Sequence, residues 1–88
     1  MNRITNNELY NLDYTLAKII YKYLKAFKKL KRKTHPVDIT RKEWEQELNF
    51  MIKTFEKIIR NFEKNEENDI KVEEGLFLFA GRFLELWD

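Results

Sequence analysis

The last sixteen residues, EEGLFLFAGRFLELWD (residues 73–88), decide the fold of this 88-residue chain. Large apolar side chains recur here at helical spacing and form two stripes. The first stripe contains Val72, Leu76, Phe79, Phe83 and Leu86, and the second, about a quarter-turn away, contains Phe77 and Leu84. A helix that is apolar on more than one face is buried on more than one side. We therefore expect a helix over about residues 70–87 that packs against both other helices, or against one of them and a second protomer.

The segment over about residues 7–33 is a second helix by the same criterion. Its apolar residues alternate at steps of three and four, and the resulting stripe consists of Leu9, Leu12, Leu16, Ile19, Tyr23, Ala26 and Leu30, widened by Ile20 and Phe27. The sequence Thr34-His35-Pro36 ends this helix, because the residue before a proline is pushed out of the α region.

The third helix covers about residues 40–64. Thr40 and Glu43 have the spacing of a capping box, and Ile39 and Trp44 that of its hydrophobic staple. The apolar stripe that follows consists of Trp44, Leu48, Met51, Phe55, Ile58 and Phe62, widened by Ile52 and Ile59.

These patterns predict an all-α protein with one domain over residues 1–88, folded as a compact antiparallel three-helix bundle. The chain has no cysteine, so disulfides and thiolate metal sites cannot stabilise it. At this size a single core supplies only a few kcal/mol, so we expect a homo-oligomer. Gly75 and Gly81 interrupt the last helix, either to let a neighbouring helix approach closely or as tolerated positions near the ends of a short helix.

Several classes of function lack their sequence signals. The longest apolar run, Leu76 to Ala80, is far short of a membrane span, and residues 1–10 contain no apolar signal region. We therefore expect a cytoplasmic protein that does not bind membranes. His35 is the only histidine, and no catalytic triad, phosphate-binding loop or HExxH pattern occurs. We expect no catalytic residue, no metal site and no cofactor.

Charge is distributed unevenly along the chain. Residues 14–42 contain ten Lys and Arg against one acid, whereas residues 43–88 contain six basic and twelve acidic side chains. One helical face carries Lys18, Lys22, Lys25, Lys29 and Arg32, with Tyr14 and Tyr21 beside it. Such a face is a candidate phosphate or nucleotide site, in which the tyrosines would stack on bases. The alternative is an ordinary solvated face.

Three apolar residues are candidates for an oligomer or target interface. Phe50 lies off the stripe of its helix, and Phe77 and Leu84 form the second stripe of the last helix. A protein that exposes such residues together is expected to cover them with a partner.

The closing pattern EGL-x-LFA-x-x-F-x-x-LWD resembles a family of small, uncharacterised tailed-phage proteins. The similarity covers about residues 13–88 and includes DYTLAKIIYKYLKAFK and EWEQELNFMIKTFE. Relatives often carry Gly-Tyr-Pro at the first turn, where this chain has Thr34-His35-Pro36. The resemblance implies phage origin and no established activity.

Phage origin favours a non-enzymatic binding protein that acts by stoichiometric capture, most of all in counter-defence. It would block a host defence protein or sequester a nucleotide second messenger in the host cytoplasm. One alternative is a DNA- or RNA-binding accessory protein that uses the basic face of the first helix. Another is a component of virion assembly, which mass spectrometry of purified particles would detect.

Overall fold

The computed structural model describes residues 4–30 and 35–87. These residues form an all-helical protein without a β-strand among them. Its elements are α1 (Asn6–Tyr10), α2 (Leu12–Lys29), α3 (Arg41–Glu63), α4 (Ile70–Arg82) and a 3₁₀ turn (Phe83–Glu85). No described helix is long and apolar enough to cross a bilayer.

The first helical segment is interrupted, in contrast to the continuous helix expected over residues 7–33. A capping box of Thr5 and Glu8 begins α1, and the chain leaves the helical region at Asn11, with φ −118° and ψ 56°. Asparagine favours such breaks because its side chain competes for backbone hydrogen bonds. Residues 31–33 of the expected helix lie outside the described part of the chain.

The start of α3 confirms the predicted capping box. The Thr40 hydroxyl accepts a hydrogen bond from the Glu43 backbone N–H at 3.1 Å, and the Glu43 carboxylate accepts one from the Thr40 backbone N–H at 2.9 Å. These bonds satisfy two of the donors that a helix start leaves without partners. Ile39 packs against the core cluster that includes Trp44.

Helix α3 is the centre of the fold. Of the eight aliphatic and aromatic residues that are buried in the described part of the chain, it supplies five: Trp44, Leu48, Met51, Phe55 and Ile58. Ala17 and Leu24 of α2 and Val72 of α4 supply the others. The predicted stripe of this helix is therefore the core, except that Phe62, near the C-terminal end, is 42% exposed.

The packing face of α2 differs from the predicted one. Ala17 and Leu24 are buried, whereas most of the predicted stripe is exposed, including Leu12, Leu16 and Ile19. Tyr14 and Tyr21, on the buried side of α2, hydrogen-bond to Glu63 and Glu56 of α3. In this orientation the long apolar stripe of α2 faces away from α3.

Helix α4 packs against α3 and not against both long helices. The rings of Phe55 and Phe79 meet edge to face at 5.0 Å between their centres. No Cα atom of α4 lies within 8 Å of one in α2. The last helix was expected to pack against both other helices, or against one of them and a second protomer. Within this chain it packs against one helix, α3. The helix also ends earlier than expected, at Arg82, where the 3₁₀ turn begins.

The three long helices form a flat layer of 40 × 36 × 19 Å with α3 in the middle. Helices α2 and α3 are antiparallel, since Tyr14 bonds to Glu63 while Tyr21, later in α2, bonds to the earlier Glu56. Helices α3 and α4 are antiparallel too, since Gly75 meets Thr54 while the later Arg82 binds the earlier Glu47. A single layer leaves two broad faces open, and the candidate binding residues lie on these faces and edges.

Candidate binding surfaces

Four lysines of the predicted phosphate face, Lys18, Lys22, Lys25 and Lys29, lie exposed on α2, and we call them the lysine edge. Arg32, the fifth predicted cation, lies outside the described residues. The helix thus brings together the lysines as expected, and the question is whether Tyr14 and Tyr21 are available to a ligand.

Tyr14 is fully engaged within the chain. Its ring stacks on Phe62 with 4.1 Å between the ring centres and 15° between the planes. The Lys18 ammonium lies 4.3 Å from the centre of the Tyr14 ring. Because Phe62 fills one face of the ring, the ammonium must lie over the other, and no face is left for a nucleotide base.

The tyrosine hydroxyls bring carboxylates to the lysine edge. The Tyr14 hydroxyl donates to Glu63 Oε2 at 2.7 Å, and that bond raises the pKa of Tyr14. The Tyr21 hydroxyl donates to Glu56 Oε2 at 3.3 Å, while the Lys25 ammonium lies 4.9 Å from the centre of the Tyr21 ring. Negative charge beside the lysines weakens the attraction of this edge for phosphate.

Phe77 and Leu84 form the most exposed apolar pair on α4 and the turn after it, and we call them the outer face of α4. Their exposed fractions are 80% and 86%. They lie seven positions apart and turn away from the residues that meet α3, which include Gly75 and Arg82. Phe50, the third predicted interface residue, is 37% exposed and lies with Val72 at the boundary of α3 and α4, apart from this pair.

Two contacts hold the outer face of α4 in position. Gly75 is buried, and a Cβ atom built there would lie only 2.6 Å from the Thr54 Cβ, so the two helices approach closely at this point. At the other end of α4, the Arg82 guanidinium binds three carboxylates, those of Glu47 at 2.8 Å and of Asp38 and Glu85 at 3.0 Å. These partners raise the pKa of Arg82, and Arg82 lowers the pKa of Asp38.

No sequence signal predicts the Arg82 cluster, because its carboxylates come from three separate segments. The partner segments are the turn before α3, α3 itself and the 3₁₀ turn. Only the tertiary structure brings them together.

An apolar groove of about 280 Å³ separates α2 from α4. It is lined by Ile19, Ile20, Tyr23, Leu24 and Phe27 of α2, and by Phe79 and Leu86 from the end of the chain. Ile19 and Tyr23 are 49% and 69% exposed. The predicted stripe of α2 thus forms one wall of this groove.

No group of three or more His, Asp or Glu side chains in residues 4–30 and 35–87 is placed to hold a metal ion. His35 Nδ1 lies 2.9 Å from the Pro36 carbonyl oxygen in the turn before α3. Among the described residues, the candidate binding surfaces are therefore the two apolar ones, the outer face of α4 and the groove between α2 and α4.

Comparison with known proteins gives no match to a protein-family model, a curated protein or a solved structure.

Proposed function

We propose that this protein is a non-enzymatic binding protein that captures a partner protein stoichiometrically through the outer face of α4. The observation that carries the proposal is the exposure of Phe77 and Leu84, 80% and 86%, on a helix anchored at both ends. Aromatic and large apolar side chains that a partner buries supply most of the energy of protein interfaces.

The anchoring of α4 supports this role. The first half of the helix packs closely against α3 where Gly75 meets Thr54, and the end of the helix is held by the ion pairs of Arg82 with Glu47 and Asp38. A binding surface on a rigid element loses little conformational entropy when the partner docks. The outer face of α4 therefore presents its apolar side chains in a geometry that needs no rearrangement.

The proposed partner is a host defence protein in the bacterial cytoplasm. This part of the proposal rests on the resemblance of the closing segment to small tailed-phage proteins, which makes counter-defence the role. We further propose that the protein is a homo-oligomer and that copies complete the closed helical bundle that the single chain leaves open.

Protein capture is better supported than capture of a nucleotide signal. The nucleotide version needs Tyr14 or Tyr21 to stack on a base, yet Phe62 and Lys18 occupy both faces of the Tyr14 ring. Isothermal titration with cyclic and ADP-ribose-type nucleotides should give flat traces. A saturable heat that Lys22→Glu abolishes would instead move the site to the lysine edge.

Site-specific photo-crosslinking tests the capture surface. A photoreactive amino acid at position 77 should crosslink to a host protein in infected or expressing cells. The same amino acid at position 10, where the wild-type Tyr10 is 84% exposed on α1 and remote from α4, is the matched control and should crosslink much less.

A variant must then connect the crosslink to the activity. Phe77→Asp combined with Leu84→Asp should abolish both the crosslinked species and any protection of phage growth, with the helical circular dichroism signal unchanged. Equal crosslinking from positions 10 and 77, or protection that survives the double substitution, would overturn the proposal.

A further inference from the structure

A cleft of about 180 Å³ lies between α3 and the start of α4, and we call it the α3–α4 cleft. Of the residues that line it, Thr54 and Val72 are buried and Phe50 is 37% exposed. The Thr54 hydroxyl donates to the Phe50 carbonyl oxygen and so offers the cleft no free donor. Three cations complete the lining: Lys53 and Lys57 of α3 and Lys71 of α4. The cleft therefore combines an apolar interior with a cationic rim.

Helical register agrees with this placement of the lysines. Lys53 and Lys57 follow Phe50 by three and seven positions, spacings that put side chains on one face of a helix. Lys71 lies one turn before Gly75, the residue at which α4 approaches α3. It is therefore on the side of α4 that faces α3, and the three ammonium groups surround one opening.

The chain leaves part of this positive charge without a partner. Lys57 pairs with the Asp69 carboxylate and lowers the pKa of Asp69. Lys53 and Lys71 form no ion pair with a described residue. The three lysines and Asp69 thus carry a net charge of +2. The adjoining surface is also more basic than acidic, since it is lined by Lys53, Lys57, Arg60, Lys64, Glu56 and Glu66.

We propose that the α3–α4 cleft receives an acidic segment of the captured partner, with one large apolar side chain against Phe50 and carboxylates over Lys53 and Lys71. The inference rests on the proposed function, because the segment belongs to the same partner protein, and it adds the chemistry by which that partner is recognised. Burial of the apolar side chain supplies affinity. Unpaired cations at the rim attract the acidic segment and orient it.

The cleft and the outer face of α4 fit within a single interface. Lys71 precedes Phe77 by six positions, which separates them by about 9 Å along the helix axis and about 120° around it. A standard interface takes about 800 Å² from each partner, a patch roughly 30 Å across, and such a patch covers both. Glu74 is exposed and lies between Lys71 and Phe77 in register. The carboxylates of the partner therefore lie on the Lys53 side of the cleft, away from Glu74.

A peptide segment suits the cleft better than a nucleic acid strand does. Single strands bind along a basic groove in which successive bases stack on aromatic side chains. Phe50 is the one aromatic residue that lines this cleft, and its cations surround a single small opening. The arrangement fits one apolar side chain with acidic neighbours.

Fluorescence anisotropy of the full-length protein tests the cleft with a labelled probe. The probe is a short peptide with one central phenylalanine flanked by aspartates and glutamates. It should bind saturably, with an affinity that falls as the salt concentration rises. A peptide with lysines in place of the acids should not bind, and one with alanine in place of the phenylalanine should bind several-fold more weakly.

Variants locate the bound peptide. Lys53→Glu combined with Lys71→Glu should weaken binding at least ~10-fold, and Phe50→Ala should weaken it several-fold. Lys22→Glu combined with Lys29→Glu makes the same charge change on the lysine edge, and this matched control should bind almost as well as the wild type. Equal losses in the two double variants would show that net charge binds the peptide, and the proposal would be wrong. Displacement of the peptide by an unlabelled DNA strand would overturn it too.

Photo-crosslinking separates failure of this inference from failure of the proposed function. A photoreactive amino acid at position 50 should capture the same host protein as one at position 77. If position 77 captures a partner that position 50 does not, capture by the outer face of α4 stands and the acidic segment is wrong. If the acidic peptide binds at the cleft but position 77 captures no host protein, the chemistry of the cleft is supported and the proposed function fails.

Discussion

Gly75→Ala tests the packing of α4 against α3, which positions every surface described above. A Cβ atom at Gly75 would lie 2.6 Å from both Cβ and Cγ2 of Thr54, and closer still to its Oγ1. Thr54 cannot turn away freely, because its hydroxyl donates to the Phe50 carbonyl oxygen at 2.8 Å, and its Cβ is fixed by the backbone. The two helices must therefore move apart.

The expected loss of stability follows from these terms. Overpacking a tight contact costs typically about 1–3 kcal/mol, and weakening the Thr54 hydrogen bond costs about 1 kcal/mol more. Replacing glycine by alanine in a helix returns up to about 1 kcal/mol. We expect a net loss of about 2 kcal/mol in the free energy of unfolding, or a Tm lower by about 8–16 °C.

Gly81→Ala is the matched control. No atom lies within 4 Å of a Cβ built at Gly81. The same substitution should therefore raise stability by up to about 1 kcal/mol through helix propensity alone. Thermal unfolding by circular dichroism, at one protein concentration for all variants, measures both effects.

A double-mutant cycle identifies the cause. Thr54→Ala removes Oγ1 and Cγ2 and leaves only Cβ near position 75, so Gly75→Ala should cost less in that background. The argument is refuted if Gly75→Ala is as stable as Gly81→Ala, or if its cost is the same with and without the Thr54 side chain.

Three further predictions concern charge. Arg82→Met should destabilise the fold by about 2 kcal/mol at neutral pH, since it removes a cation bound to three carboxylates. Arg82 lowers the pKa of Asp38, so the part of this stabilisation that comes from Asp38 is complete above pH ~4 and is lost as pH falls through the lowered pKa. The difference in stability between wild type and variant should therefore narrow in acid, as denaturant titrations would show. Glu63→Gln should return the raised pKa of Tyr14 towards its usual value, which tyrosinate absorbance would detect. The stability that the Tyr14–Glu63 bond contributes is complete below pH ~10 and is lost as pH rises through the raised pKa. The difference in stability between wild type and Tyr14→Phe should therefore become smaller in alkali. In a mobility-shift assay at low salt, we expect no binding to DNA, because Glu56 and Glu63 adjoin the lysine edge. If the protein does bind, and a plot of the logarithm of the binding constant against the logarithm of the salt concentration has a slope of about −4, the four lysines form a phosphate site instead.

Helix α3 shows how far the sequence predicts this fold. Its capping box and its stripe from Trp44 to Ile58 agree with the structure, because both depend on residues within one turn or on one helical face. Local signals of this kind need no knowledge of what the helix packs against.

The orientation of α2 could not be predicted in the same way. Its apolar arc is wide enough that either Ala17 and Leu24 or Leu16 and Ile19 are plausible core residues. The observed orientation buries Ala17 and Leu24 and brings Tyr14 and Tyr21 to carboxylates that are 49 and 35 positions away in the chain. Hydrophobic periodicity contains no information on such distant partners.

The two glycines illustrate the same limit. Gly75 and Gly81 are equivalent in the sequence, yet only Gly75 meets a neighbouring helix. At 3.6 residues per turn, six residues put the two positions about 120° apart around the helix, so they do not face the same neighbour. Which one does depends on the rotation of α4 against Thr54.

Solvent paramagnetic relaxation of side-chain NMR signals tests the central claim most directly, namely that one apolar surface is covered by a second copy and another stays open for a partner. In the wild-type protein, a soluble gadolinium chelate should strongly relax the Leu84 methyl groups. It should spare the Ile19 methyl groups, although Ile19 is 49% exposed in the single chain. Strong relaxation of Ile19 together with protection of Leu84 would contradict the account.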